Sequence, residues 1–138
     1  MYTALAQYQD MQVSTSSPEQ ILLMLYDGAV KFTRMAMDRL ENGDVAGKGL
    51  YIGKAQAIVA ELMNTLDHEV GGEMAARLEQ LYIYLIDEYV AANRGNALRS
   101  LENALGILTT LRDAWAEAVE REKPGRCAET KRKTMVQG

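Results

Sequence analysis

The sequence has few of the residues from which metal sites, disulfides and catalytic centres are built. It contains one cysteine, Cys127, and one histidine, His68, so neither a disulfide framework nor a Cys/His metal cluster can be assembled. No lysine or arginine precedes Lys31, and no run of about 18 apolar residues occurs, which argues against a signal peptide and a membrane-spanning helix. These absences predict a protein of the reducing cytoplasm that is not inserted in a membrane.

Charge is unevenly distributed along the chain. Residues 123–138 hold five basic and one acidic side chain, a net charge of +4. Subtracting this from the formal net charge of −4 leaves −8 on residues 1–122. An acidic body argues against nucleic-acid binding, because phosphates favour clustered Lys and Arg on a folded face. The polar composition after Pro124 predicts a disordered tail, with phosphate contact as the alternative.

The remaining pattern is helical throughout. With 138 residues, of which 48% are hydrophobic, the chain has enough apolar side chains for one domain core. Ser17, Pro18 and Gln20 predict a helix start, because the serine oxygen accepts free amide protons, proline suits the first turn and glutamine reaches back. Helix one is predicted to run from there to about Leu40.

Three further helices are predicted from apolar residues at helical spacing. Helix two spans about 44–67, although its glycines 47, 49 and 53 should weaken its first turns. Gly71–Gly72 breaks the chain, helix three ends near Ala92 or Asn93, and helix four ends near Glu122. Their stripes are Ile52, Ala55, Ile58, Val59, Leu62, Met63 and Leu66; Ala75, Leu78, Tyr82, Leu85, Ile86 and Tyr89; and Leu98, Leu101, Leu105, Leu108, Leu111 and Trp115.

The predicted fold is all-α, an antiparallel up-down-up-down four-helix bundle with an N-terminal arm. The turns between helices are too short for a crossover, so consecutive helices must run antiparallel. We divide the chain into an arm or cap over residues 1–16, the bundle over 17–122 and the basic tail over 123–138.

Enzymatic chemistry finds no support in the sequence. A di-iron bundle needs two Glu-x-x-His pairs, and the residue three before the only histidine is Thr65. A Cys127–His68 pair would lack a third group to orient the imidazole. No glycine-rich phosphate loop follows a strand. We therefore predict no catalysis, no cofactor and no metal.

His68 raises one alternative function, a histidine phosphotransfer bundle in which the imidazole accepts a phosphoryl group. Such a histidine lies in the middle of an exposed helix face, whereas His68 runs directly into Gly71–Gly72. We predict instead that His68 lies in the last turn of helix two, where a positive charge is favoured by the helix dipole.

Six consecutive apolar residues, from Ile21 to Tyr26, follow the start of helix one. At about 100° per residue they surround the helix, so either the arm or a partner must cover the outer face. The chain also has eight methionines and seven tyrosines. Both side chains adapt well to a bound peptide, although for any single one of them a core position is favoured, and only their excess across helix one indicates a partner.

Short segments along nearly the whole predicted bundle are similar to those of a known family. They are Ala6-Gln7-Tyr8-Gln9, Ser17-Pro18-Glu19-Gln20, Leu23-Met24-Leu25-Tyr26-Asp27-Gly28-Ala29, residues 54–62, Leu66-Asp67, residues 71–75, Leu81-Tyr82 with Tyr84, Ala92-Asn93, and Leu111-Arg112 with Ala114-Trp115. In this order and spacing they resemble the FliS-type flagellar secretion chaperones.

The resemblance implies a cytoplasmic bundle that binds the disordered C-terminal segment of flagellin. It implies that the protein prevents early polymerisation of flagellin and helps deliver it to the flagellar export gate, without ATP or catalysis. It also implies that the arm lies over an apolar part of the bundle and moves when flagellin binds. Residues near the position of Tyr8 then take part in contacts to the client or the gate.

As partner contacts we expect apolar residues of the arm and of helices one to three, together with one asparagine. Pairing of two copies through the same apolar face, as a homodimer, is left open. The expected contacts are Tyr8, Met11, Ile21, Met24, Leu25, Tyr26, Ile58, Leu62, Met63, Leu66, Tyr82, Leu85 and Asn93.

Overall fold

A capping box starts the first helix of the computed structural model. The Gln20 backbone N–H donates to Ser17 Oγ at 3.2 Å, and the Ser17 N–H donates to Gln20 Oε1 at 3.1 Å. Pro18 occupies the first helical position, where its missing N–H costs nothing. The start predicted from the sequence is confirmed.

The structure describes residues 17–95 and 97–122. Within them, four helices follow one another: α1 (Pro18–Glu41), α2 (Val45–Asn64), α3 (His68–Arg94) and α4 (Ala97–Glu122). The predicted arm and tail, with Cys127, lie outside the described residues.

Each helix packs against two others. Helix α1 contacts α2 and α4, and α3 contacts the same two helices. Short connections between consecutive helices make each pair antiparallel, so the predicted all-α up-down-up-down bundle is confirmed.

One core runs along the bundle, with residues from all four helices. Each stripe predicted for α2 and α3 supplies buried residues, and six of them are fully buried: Ile52, Ala55, Val59, Leu62, Leu85 and Tyr89. The buried core residues are Leu25, Tyr26, Ala29, Val30, Ala36, Ile52, Ala55, Ile58, Val59, Leu62, Tyr82, Leu85, Tyr89, Ala92, Ala97, Leu101, Ala104 and Leu108.

Two hydrogen bonds cross the core between the diagonal helices α1 and α3. The hydroxyls of Tyr26 and Tyr82 bond to each other, and Thr33 Oγ1 lies 2.7 Å from the Tyr89 hydroxyl. From one bond to the next, the step is seven residues on both helices, so α1 and α3 run parallel in matched register. Every buried polar group here has its partner, as a low-dielectric interior requires.

The end of α2 and the start of α3 differ from the prediction. Helix α2 ends at Asn64, and Asp67 caps α3 by accepting hydrogen bonds from the N–H groups of Glu69 and Val70, both at 3.1 Å. The prediction that helix two extends to residue 67 is therefore wrong. His68 is the first residue of α3, so its placement in the last turn of helix two is also wrong.

Helix α3 is kinked near its start instead of beginning after the glycine pair. Gly72 has φ 50° and ψ −124°, a conformation open mainly to glycine, while the residues on both sides remain helical. His68 Nε2 lies 2.9 Å from Glu79 Oε2. Eleven residues of straight helix would separate their backbones by about 16 Å, so the kink is what brings the two side chains together.

Five of the six residues predicted for the stripe of α4 are buried or pack against the core, and the first, Leu98, does not. Leu98 is 54% exposed, whereas Ala97 and Ala104 lie in the core beside Leu101 and Leu108. The prediction of Leu98 as a core residue is wrong. Ala97 and Ala104, which the predicted stripe did not include, are small enough for close contact between helices.

The glycines of α2 do not interrupt it. The helix is continuous from Val45, and the Gly47 N–H donates to the capping Asp44 Oδ1 at 2.9 Å. A Cβ at residue 47 would lie 2.3 Å from Asp44 Oδ2, so glycine leaves room for the cap.

Candidate partner-binding surface

The first turns of α1 are only partly covered by the rest of the bundle. Leu25 and Tyr26 are buried, and Leu22 packs against the edge of the core. Ile21, Leu23 and Met24 are half-buried and lie outside the packed core. The six-residue apolar run thus divides into a core part and a surface part.

The last turns of α2 lie beside the first turns of α1. Gly28 approaches α2 so closely that a Cβ there would be 3.0 Å from Ile58 Cδ1. Because the two helices are antiparallel, residues before Gly28 lie beside residues after Ile58. Met63 and Leu66 are half-buried in that region and pack against the core edge.

The start of α3 adds two exposed side chains at the same end of the bundle. Val70 is 86% exposed and Met74 is 65% exposed. Because α3 runs parallel to α1, the starts of the two helices lie at one end of the bundle. We call this set the apolar end surface; its members are Ile21, Met24, Met63, Leu66, Val70 and Met74.

Sequence reasoning missed Val70 and Met74 because residues 68–72 were interpreted as a turn. The available signal was the apolar spacing of Val70, Met74 and Leu81, which continues along the outer side of α3. Further exposed apolar residues on α3 are Leu81, Ile83, Tyr84 and Val90.

The structure separates the expected partner contacts into groups. Ile21, Met24, Met63 and Leu66 belong to the apolar end surface, and Tyr8 and Met11 lie outside the described residues. Six others are in the core, where a partner reaches them only if helices move apart: Leu25, Tyr26, Ile58, Leu62, Tyr82 and Leu85.

Asn93 lies far from the apolar end surface. It is exposed near the end of α3, where Lys48 Nζ donates to the Ala92 carbonyl oxygen at 3.3 Å. The rise from Val70 to Asn93 is about 35 Å along a helix. A partner that touches both must therefore be extended along the bundle.

Beneath the apolar end surface, an aromatic and polar layer fixes α1. The rings of Tyr26 and Trp115 stack with centroids 6.4 Å apart. Burial raises the pKa of Tyr26, and hydrogen bonds with Tyr82 and Trp115 partly offset this rise. At the surface, Arg112 Nε donates to Asp27 Oδ1 at 2.6 Å, which joins α4 to α1. These contacts hold α1 against α4, and the raised pKa keeps the Tyr26 hydroxyl neutral.

His68 is poorly suited to accept a phosphoryl group. The Glu79 carboxylate next to its Nε2 would repel the incoming phosphate. In the described part of the chain, no three His, Cys, Asp or Glu side chains are placed to hold a metal ion. Across residues 17–95 and 97–122, no helix combines the length and the apolar character needed to span a membrane.

Comparison with known proteins gives one consistent result. The family model described as flagellar protein FliS matches residues 1–122. The chain is 38% identical over 125 residues to the flagellar secretion chaperone FliS of Bacillus subtilis, covering 91% of this chain and 90% of that protein.

Two more relatives extend the same result. Identity is 38% over 124 residues to flagellar secretion chaperone FliS of Salmonella typhimurium, covering 85% of this chain and 92% of that protein. It is 34% over 116 residues to flagellar secretion chaperone FliSB of Pseudomonas aeruginosa, covering 81% and 92%. With this match over nearly all of the bundle, the chain belongs to the FliS family of flagellar proteins.

Proposed function

We propose that this protein is a cytoplasmic chaperone of flagellar export that binds the disordered C-terminal segment of flagellin. The observation that carries the proposal is an apolar end surface on a bundle of the FliS family. The bound segment is kept from polymerising early and is presented to the export gate. No catalytic step is part of this function.

The client binds as one or more amphipathic helices laid against the bundle. An apolar helix face pairs with an apolar groove in the helix-in-groove mode. Full burial of one large apolar side chain contributes about 1.5 to 3 kcal/mol, while ordering a disordered client costs about 2 to 5 kcal/mol or more. The six residues of the apolar end surface begin the contact, and the exposed apolar residues of α3 extend it.

The arm, residues 1–16, is proposed to cover the apolar end surface when no client is bound. Its attachment point supports this, because Ser17 precedes the first turn of α1 at the same end of the bundle. Within the arm, Tyr8 and Met11 supply contacts to the bundle, the client or the gate. Deleting residues 1–16 should raise binding of an apolar dye, and unchanged dye fluorescence would contradict the covering role.

Calorimetry with the C-terminal peptide of the cognate flagellin tests the proposal. We expect one-to-one binding, and we expect Met74→Glu to weaken it by at least about tenfold, equivalent to about 1.4 kcal/mol. Leu50→Glu is the matched control, since Leu50 is 49% exposed on α2 away from the apolar end surface. Absence of heat together with an unchanged elution volume would refute flagellin binding; equal weakening by both variants would refute the assigned surface.

Self-association is the competing use of the same surface. A homodimer would hide these side chains in a symmetric interface. Sedimentation at rising protein concentration separates the two cases. A dimer that dissociates when the flagellin peptide is added would mean that the second copy and the peptide bind the same surface. A protein that stays monomeric would mean that the surface is used by the client alone.

A further inference from the structure

A groove of about 550 Å³ lies between the second half of α1 and the first half of α4. Its apolar lining consists of Met37, Leu40, Leu98 and Leu105. Leu98 is 54% exposed, so this apolar side chain is left open to solvent in the groove. The groove lies at the opposite end of α1 from the apolar end surface and between α1 and α4, so it is not part of that surface.

The charged rim of the groove carries both signs. Asp38, Glu41 and Arg34 line it. Asp38 pairs with Arg39 at 2.6 Å. Among the described residues, Glu41 has no ion-pair partner. Glu41 is therefore available to pair with a basic side chain of an occupant, next to the apolar lining.

The C-terminal tail has that chemistry in the right order. Lys131, Arg132 and Lys133 are followed closely by Met135 and Val136. The tail is also the part of the chain that the family match, residues 1–122, does not include. Binding of the tail in the groove would therefore be a property of this chain and not of the bundle that the family shares.

The tail is long enough to reach the groove. From Glu122 back to Leu98, helix α4 rises about 36 Å at about 1.5 Å per residue. The stretch from Glu122 to Met135 spans up to about 43 Å at about 3.3 Å per residue. Pro124 and Gly125 are the residues expected where the chain reverses direction.

We propose that residues 131–136 dock in this groove of their own chain. Met135 and Val136 pack on the apolar lining, and the basic triplet lies along the rim beside Glu41 and Asp38. In this arrangement the tail lies along α4, and its last residues contact both the first half of α4 and the second half of α1.

A spin label on the tail of the full chain tests the proposal. In a Cys127→Ser, Gln137→Cys protein carrying a nitroxide, amide signals of Leu40, Leu98 and Leu105 should broaden, while that of Ile21, about 28 Å along α1 from Leu40, should stay sharp. Raising the ionic strength should reduce the broadening, because the rim charges are exposed. Signals broadened only near residues 17 and 122 would overturn the proposal.

Two matched pairs of variants sharpen the result. Leu98→Ser should abolish the broadening at Leu105, and Leu50→Ser, which changes a similarly exposed leucine, should leave it unchanged. Changing residues 131–133 to glutamate should abolish it, whereas glutamate at 123 and 126 should not. Equal loss from both members of a pair would contradict the assigned contacts.

Mixing spin-labelled protein without isotope label into isotope-labelled protein without the nitroxide separates contacts within one chain from contacts between chains. Sharp signals in the mixture support docking within one chain. Broadening at Leu98 in the mixture would show that the groove takes the tail of a second copy, and would overturn the proposal.

Discussion

The Thr33 hydroxyl donates to the Ala29 carbonyl oxygen at 2.7 Å and accepts the hydroxyl hydrogen of Tyr89 at the same distance. Thr33 therefore joins its own helix to the helix diagonally across the core. Both side chains are fully buried, so neither hydroxyl has water as an alternative partner. The two sides of this bond should respond differently to mutation.

Thr33→Val should destabilise the protein more than Tyr89→Phe. Valine leaves the Tyr89 hydroxyl buried and unpaired, which costs about 1 to 3 kcal/mol, while phenylalanine removes the donor and costs about 0.5 to 1.5 kcal/mol. Urea unfolding of both variants and of the double variant gives the coupling energy. A double variant that loses the sum of both single losses would show that the bond contributes nothing.

Stability should fall in alkaline solution because the core tyrosines resist ionisation. Burial raises the pKa of Tyr89 to about 12, and burial likewise raises the pKa values of Tyr26 and Tyr82. In the unfolded chain a tyrosine ionises near pH 10, so above that pH the unfolded state gains stability. The loss begins near pH 10 and, for Tyr89, continues to about pH 12.

The expected slope is about 1.4 kcal/mol per pH unit for each tyrosine that ionises only on unfolding. Tyr89→Phe is the control, because lysines also titrate in this range. Urea unfolding between pH 8 and pH 11 should show a shallower decline for Tyr89→Phe than for the parent protein. Parallel declines would mean that the Tyr89 hydroxyl ionises as readily in the folded state.

Much of the fold is predictable from the sequence because its signals are local. The capping box at Ser17 and the stripes of α2 and α3 depend on residues a few positions apart, and short turns then force antiparallel neighbours. The division of Ile21 to Tyr26 into core and surface halves was not predictable in detail. It depends on where α2 and α4 lie around α1.

Residues 65–72 show why boundaries were less predictable. Asp67 is both near the end of one apolar stripe and able to cap the next helix, and only the fold decides for the cap. The glycine pair suggested a break, yet Gly72 alone bends a continuing helix. This misinterpretation concealed Val70 and Met74, which belong to the candidate site.

Leucine substitutions on α4 should separate Leu98 from the buried part of the predicted stripe. Leu101 is fully buried, so Leu101→Ala should cost about 2 to 5 kcal/mol through lost contacts and a cavity. Leu98 is 54% exposed and gains a further contact only from the tail proposed above, so Leu98→Ala should cost no more than about 1 kcal/mol. Chemical denaturation measures both, and similar losses would favour the stripe predicted from sequence.

Two glycines of α2 should respond in opposite ways to alanine. Gly49 faces open space, so Gly49→Ala should stabilise the helix by about 1 kcal/mol. At residue 47 the new Cβ would displace the Asp44 carboxylate, and loss of that cap costs about 0.5 to 2 kcal/mol, which offsets the gain. Thermal unfolding of both variants decides this. In an Asp44→Ala background, Gly47→Ala should become as favourable as Gly49→Ala.

The kink in α3 should depend on Gly72. Alanine is strained at φ 50° and ψ −124°, at a cost of about 1 to 3 kcal/mol, and the strain is relieved if the helix straightens. Straightening would carry His68 away from Glu79 and move Val70 relative to the end of α2. In Gly72→Ala we therefore expect lower stability by urea unfolding and a shifted His68 imidazole signal by NMR.

Gly53→Ala is the control, because its Cβ meets open space within a regular helix. An unchanged His68 signal in Gly72→Ala would mean that the kink is fixed by packing around α3 and not by the glycine.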